Sequence, residues 1–138
     1  MNDLTGSCAC GAIAYRISKR PLVVLNCHCT LCRKINGSAF STYASVLESS
    51  FTITRGEDQL ERFAISASGA KHFCSRCGTP LFNLNQRYPG LCIIHYGSLD
   101  KPEAMHPTTN IYYGNKCPWV STLDQLKSYP EAIPDTSH

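Results

Sequence analysis

Nine of the 138 residues are cysteine, and seven of them fall into three short groups with the spacing of metal ligands. Cys8-Ala9-Cys10-Gly11 opens the chain, Cys27-His28-Cys29-Thr30-Leu31-Cys32 follows, and Cys74-Ser75-Arg76-Cys77-Gly78 comes later. Thiolates bind zinc at about 2.3 Å, and two on one tight turn reach a single ion. A glycine trailing the pair can take positive φ and release backbone N–H groups toward the sulfurs. Cys8, Cys10, Cys74 and Cys77 are therefore expected to close a tetrahedral structural zinc site. Cys27, Cys29 and Cys32 supply three thiolates and leave a fourth position open, as in a catalytic zinc. The expectation is two Zn²⁺ per chain. A mixed pairing of the groups stays open, because spacing does not show which groups meet. Cys92 in an apolar run and Cys117 beside Pro118 read as core packing.

The elements that must position these groups are short. Alternation marks strands at Ala12–Ile17, Leu22–Asn26, Phe40–Leu47, Phe51–Arg55, Leu60–Ser66, Ala70–Phe73, Leu81–Asn85, Leu91–Tyr96 and Asn110–Tyr113. A turn falls at Gly56-Glu57-Asp58. Helix is expected only for a turn or two after Cys29, through Leu31-Cys32-Arg33-Lys34, and around Leu123–Lys127. The fold class is mostly all-β, built from short antiparallel strands with one or two helical turns.

Hydrophobic residues make up 43% and charged residues 17% of the chain, which describes a globular protein rather than a disordered one. One zinc-binding domain over 1–129 with a frayed tail at 130–138 accounts for the length. Leu22-Val23-Val24-Leu25 is the longest aliphatic run, too short for a membrane span. The first residues show no secretory pattern, so the expected location is cytoplasmic. In that reducing compartment an odd number of cysteines does not form a disulfide framework. The formal charge of +3 assumes neutral thiols. Seven thiolates and two Zn²⁺ bring it to neutrality, which argues against a nucleic-acid partner.

The chain resembles the glutathione-dependent formaldehyde-activating enzyme family, whose domain is shared with centromere protein V. The resemblance rests on Gly6-Ser7-Cys8-Ala9-Cys10-Gly11-Ala12, Cys27-His28-Cys29-Thr30-Leu31-Cys32-Arg33-Lys34 and Gly37-Ser38-Ala39-Phe40. It continues through Phe73-Cys74-Ser75-Arg76-Cys77-Gly78-Thr79-Pro80-Leu81 and Gly97-Ser98-Leu99-Asp100, spanning residue 6 to Trp119. It implies a zinc-bearing Mss4-like β fold. It also implies a structural zinc on Cys8, Cys10, Cys74 and Cys77 and a catalytic one on Cys27, Cys29 and Cys32. Family members often carry a histidine where this chain has Asn110, in Asn110-Ile111-Tyr112.

An open trithiolate zinc can hold a small thiol, such as glutathione, as thiolate near neutral pH. Beside a small aldehyde that thiolate adds to the carbonyl and forms an S-hydroxymethyl adduct. The reverse is carbon–sulfur lysis. The expected activity is thus a carbon–sulfur lyase or synthase of the S-(hydroxymethyl)glutathione type. The rival reading is a zinc-stabilised protein-binding module without catalysis. Arg33 and Lys34 could meet the carboxylates of the thiol, or form a solvated surface pair. His28 could shuttle a proton or orient a sulfur, or point outward. His72 is divided between supporting the ligands and plain exposure, and His95 reads as a satisfied interior histidine. Tyr112, Tyr113 and Trp119 read as core or interface groups.

Overall fold

The computed structural model describes residues 2–134, so the last four residues of the expected tail lie outside the described residues. Two sheets face each other. The smaller holds β1 (Leu4–Ser7), β2 (Ala14–Ile17) and β5 (Phe51–Arg55) in the order β1-β2-β5. The larger is built from β3 (Val23–Cys27), β4 (Ser41–Leu47), β6 (Leu60–Ala64), β7 (Gly69–Cys74), β8 (Pro80–Asn85), β9 (Leu91–His95) and β10 (Thr109–Ile111). Its order is β10-β3-β4-β9-β8-β7-β6. Every pairing is antiparallel except β10 beside β3. One helix, α1 (Thr30–Asn36), follows β3 and ends at Gly37.

The core lies between the sheets. In β2, Tyr15 and Ile17 are buried while Arg16 between them is exposed, the period-two pattern of a strand with one wet face. They meet Val24, Ala44, Val46, Phe82, Cys92 and Ile94 from the larger sheet. Burying each large aliphatic or aromatic side chain contributes about 1.5–3 kcal/mol. An aromatic chain crosses the interface, with Tyr15 to Phe51 at 5.4 Å and Phe51 to Phe82 at 4.8 Å between ring centres. The buried Tyr15 hydroxyl pairs with Ser98 Oγ at 2.6 Å.

Some expectations are corrected. β1 carries too little alternation to read as a strand, and it exists because Gly6 lets Tyr15 close over it. Any Cβ at Gly6 would overlap the Tyr15 ring. The strand expected over Asn110–Tyr113 stops at Ile111, because Tyr112 turns left-handed (φ 52°) and Tyr113 enters a 3₁₀ turn. No α-helix forms around Leu123–Lys127. Short 3₁₀ turns run over Pro118–Gln125, broken by the non-helical Thr122. Trp119 there is 48% exposed rather than core. No helix among the described residues is long and apolar enough to cross a membrane.

Candidate metal centre and thiol site

Two hairpins, one from each sheet, bring four thiols together. The β1–β2 turn carries Cys8 and Cys10, and the β7–β8 turn carries Cys74 and Cys77. Gly11 and Gly78 both take φ 79°, reversing the chain directly after the second thiol of each turn. Gly11 N donates to Cys8 O at 3.0 Å and Gly78 N to Cys74 O at 2.8 Å, closing the two turns. The four sulfurs all lie within 4.8 Å of one another, with Cys8 to Cys10 at 3.6 Å and Cys10 to Cys74 at 3.8 Å. A tetrahedron with bonds of about 2.3 Å puts its sulfurs about 3.8 Å apart, so the donor set could hold a metal ion.

Backbone dipoles are aimed at the same sulfurs. Ile13 N donates to Cys8 Sγ at 3.2 Å and Arg76 N to Cys74 Sγ at 3.3 Å. Cys77 is pulled down to about 5, first by the Thr79 hydroxyl 3.1 Å away and then by backbone N–H groups. At Cys10 the Ala12 N–H also pulls down. Desolvation and the neighbouring thiols outweigh it and lift the group to about 11. Thr79 Oγ1 also accepts from Ala9 N at 3.0 Å, a bond from one turn to the other.

The second cysteine group sits where β3 gives way to α1. Cys27 ends the strand, Cys29 stands at the N-cap and Cys32 lies one turn into the helix. Cys27 donates to Cys32 across 3.8 Å, the separation a shared metal imposes. That bond splits the pair. It is the largest cause holding Cys32 down to about 6, and it pushes Cys27 well above the usual thiol range. The three sulfurs do not close as tightly as the first cluster. Among the described residues only Cys8, Cys10, Cys74 and Cys77 meet within 4.8 Å as a set.

His28 does not point outward. Its ring is buried, 5.1 Å from the rings of both Phe40 and Tyr113. Its backbone N donates to Ile111 O at 3.0 Å, so β10 forms the wall beside it. Nε2 lies 3.1 Å from Asn110 Oδ1, an acceptor, so Nε2 is the donor of this bond. Asn26 Nδ2 donates to the same amide oxygen at 3.4 Å, and Thr42 Oγ1 donates to Asn26 Oδ1 at 2.7 Å. Nδ1 is the one buried side-chain nitrogen or oxygen among the described residues without a hydrogen-bond partner. The left-handed Tyr112 stores on the order of 1 kcal/mol of strain and turns Tyr113 edge-on over this imidazole.

Sequence reasoning missed a second set of polar groups. Lys71 Nζ donates to Ile35 O at 3.0 Å and to Asn36 Oδ1 at 3.4 Å. Lysine only donates, so the amide of Asn36 is oriented with its NH₂ toward Ser41 Oγ (2.8 Å) and Tyr43 Oη (3.2 Å). The Tyr43 hydroxyl accepts that bond, and after Cys27 the nearby Tyr43 is a further cause that lowers the Cys32 thiol. No motif could announce this chain, because its members come from β4, α1 and β7. Period-two alternation places Lys71 on the Phe73 face of β7, and that was the only available signal.

The other candidates fall as follows. Arg33 turns its guanidinium to Cys117 Sγ (3.2 Å) and Thr30 Oγ1 (3.4 Å). Cys117 is thereby half-buried against a charge rather than packed in the core. Lys34 is exposed in the last turn of α1. Cys92 is fully buried in the core. His95 is an interior histidine bonded to Asn83 Oδ1 at 2.9 Å. His72 stacks on Phe82 at 4.6 Å and is half-buried. A cavity of about 660 Å³ opens at the other end of β3, among Leu4, Val24, Leu99 and Met105, away from the thiols.

A β-rich two-sheet protein with a four-thiol cluster that could bind a metal defines the class. The family model described as glutathione-dependent formaldehyde-activating enzyme matches residues 3–115, and the chain belongs to that family. A Halomonas elongata protein named "Putative glutathione-dependent formaldehyde-activating enzyme" is 30% identical over 128 residues. The match covers 85% of this chain and 79% of that relative. A crystal structure of a Rhodobacter sphaeroides protein shares the fold with a TM-score of 0.63 at 19% identity. It covers 77% of this chain and 98% of its own.

Proposed function

We propose that the protein is a zinc-dependent carbon–sulfur lyase or synthase acting on a thiol–aldehyde adduct, with glutathione and formaldehyde or a related pair as reactants. Zn²⁺ on Cys8, Cys10, Cys74 and Cys77 would be structural, joining the two sheets. A second Zn²⁺ on Cys27, Cys29 and Cys32 would supply a Lewis acid that keeps a small thiol ionised near neutral pH. The observation that carries this reading is the polarised pair Cys27–Cys32, 3.8 Å apart at the mouth of α1.

The residues around that pair have defined tasks. The Tyr43 hydroxyl, which accepts from Asn36, would supply a proton beside Cys32. Cys29 N–H lowers Cys27 against the push of its neighbours. The buried ring of His28, between Cys27 and Cys29 in the chain, is packed by Phe40 and Tyr113. In the synthetic direction the thiol sulfur donates its electron pair to the aldehyde carbon and the C–S bond forms. The carbonyl π pair moves to oxygen, which takes up a proton as the thiol gives one to solvent. Lysis reverses each movement.

Calorimetry of glutathione binding in buffers of differing ionisation enthalpy tests the reading. Binding is expected to release about one proton per site near neutral pH, since a free thiol is mostly protonated there. S-methylglutathione, with no ionisable thiol, should bind far more weakly and release none. Absence of zinc-dependent binding across a panel of small thiols would leave the zinc-stabilised binding module as the better reading.

A further inference from the structure

The outer face of the larger sheet, away from the core, carries a row of polar side chains that starts at Tyr43, two positions from Ser41, which pairs with Cys27 across β3 and β4. Tyr43 pairs with His95 across β4 and β9, and Asn83 pairs with Lys71 across β8 and β7. His95 and Asn83 bridge the two halves by a 2.9 Å hydrogen bond. Residues directly opposite one another in an antiparallel pair share a sheet face, so the four form one track across four strands. Helix α1 borders it, through Asn36 on Tyr43 and Lys71 on Ile35.

The track holds a single fixed charge. Tyr43 and His95 are buried, Tyr43 is a phenol, and burial keeps His95 neutral. Asn36 and Asn83 are amides. Lys71 is the cation, and it has no carboxylate partner. The one ion pair among the described residues joins Arg16 and Asp3, on the smaller sheet and the N-terminal segment. Two of the three Nζ donors are spent on Ile35 O and Asn36 Oδ1, which hold the ammonium half-buried and in place. The third N–H has no hydrogen-bond acceptor among the described residues, and the further contact of the ammonium is the Phe73 ring, 5.8 Å from Nζ to its centre. A half-desolvated ammonium without a counter-ion favours an arriving anion.

The geometry joins this cation to the thiol site. Tyr43 Oη and Lys71 Nζ bond to the same Asn36 amide, at 3.2 and 3.4 Å, which puts them within about 9 Å of each other. In a small peptide thiol about two residues of chain, roughly 7 Å, separate sulfur from carboxylate. Arg33, the basic residue directly after Cys32, is turned to Cys117 and Thr30 instead. We infer that Lys71 is the carboxylate-binding subsite of the thiol centre, so that the protein selects thiols bearing a carboxylate a short peptide's length from the sulfur. This rests on the thiol-binding reading of Cys27, Cys29 and Cys32.

The test compares the affinities of glutathione and glutathione diethyl ester, which keeps the thiol and masks both carboxylates, in wild type and Lys71→Met. Wild type is expected to favour glutathione by about five- to tenfold, the weight of one charge-assisted contact. In Lys71→Met that ratio should fall to about one, and in Lys71→Arg it should largely persist. A residue that only braces α1 would weaken both ligands alike and leave the ratio intact, which would overturn the inference. The wild-type ratio measured in rising potassium chloride reads the same charge without any variant. It should shrink as salt screens the contact, and a salt-independent ratio overturns the assignment. If thiols bind without a carboxylate preference, Lys71 loses its role and the thiol centre stands. If neither thiol binds, the thiol centre itself fails and Lys71 goes with it.

Discussion

Lys71 Nζ lies 3.0 Å from the carbonyl oxygen of Ile35, so the strand that ends in Cys74 grips the helix that begins beside Cys29. The two cysteine centres share no ligand, but they share this brace. A cation at the carbonyl end of a helix is also favourable to the helix itself. What holds β7 in place therefore also fixes where Cys32 stands.

Despite that connection, the two cysteine groups carry different weights when a sulfur is removed. Cys74→Ser takes a sulfur from the cluster that brings the β1–β2 and β7–β8 turns together, and a structural zinc, if bound there, would contribute about 10 kcal/mol to folding. A small domain has about that much in total. The variant is expected to aggregate or express poorly. Cys29→Ser touches only a local corner and should remain soluble and cooperative on thermal melting, with less metal bound. Melting curves with metal content per chain decide between them, and equal collapse of both variants would make both centres structural.

Asn110 should govern the state of His28. Asn110→Ala removes the acceptor 3.1 Å from Nε2 and leaves a second buried imidazole nitrogen unpaired. Such an orphan costs about 1–3 kcal/mol. The loss should appear in urea unfolding, and nitrogen-15 spectra of the imidazole should show the protonated Nε2 of wild type giving way to mixed tautomers. Unaltered spectra in the variant would mean that the amide does not set the tautomer.

His95 imposes a pH dependence of definite sign. Burial, and then the charge of Lys71, depress its pKa to about 3, against about 6.5 in an unfolded chain. Between those values the unfolded chain binds a proton that the folded one refuses. Stability therefore rises with pH across that window and declines as acid is added, by a few kcal/mol over its full width. Denaturant titrations at pH 4.5 and 7 should show a smaller difference for His95→Gln than for wild type. Parallel losses in the two proteins would assign the acid sensitivity elsewhere.

Much of the strand layout was legible because burial on one face leaves a period of two in the text. Phe51–Arg55 matches its strand end for end, and most others differ by a residue or two. The ligand turns were legible for a different reason, since Cys8-Ala9-Cys10-Gly11 and Cys74-Ser75-Arg76-Cys77-Gly78 carry both the donors and the glycine that bends the chain. β1 was not, because its rationale is the Tyr15 ring lying where Gly6 has no side chain. Nor were the partners of the functional groups. His28 meets Asn110 across 82 positions, and Arg33 meets Cys117 across 84. Those pairings follow from β10 lying parallel to β3, a decision of topology that no local pattern records.

The parallel placement of β10 also sets an order of events on the ribosome. Cys27, Cys29 and Cys32 leave the exit tunnel early, but Asn110, Ile111 and Tyr113, which close over His28, come some eighty residues later. Synthesis at about 5–20 residues per second leaves those thiols without their cover for roughly 4–16 seconds. Pairing at such sequence separation is also slow to form after release. The nascent chain thus presents these sulfurs to ions and oxidants before the later strand can cover the histidine between them.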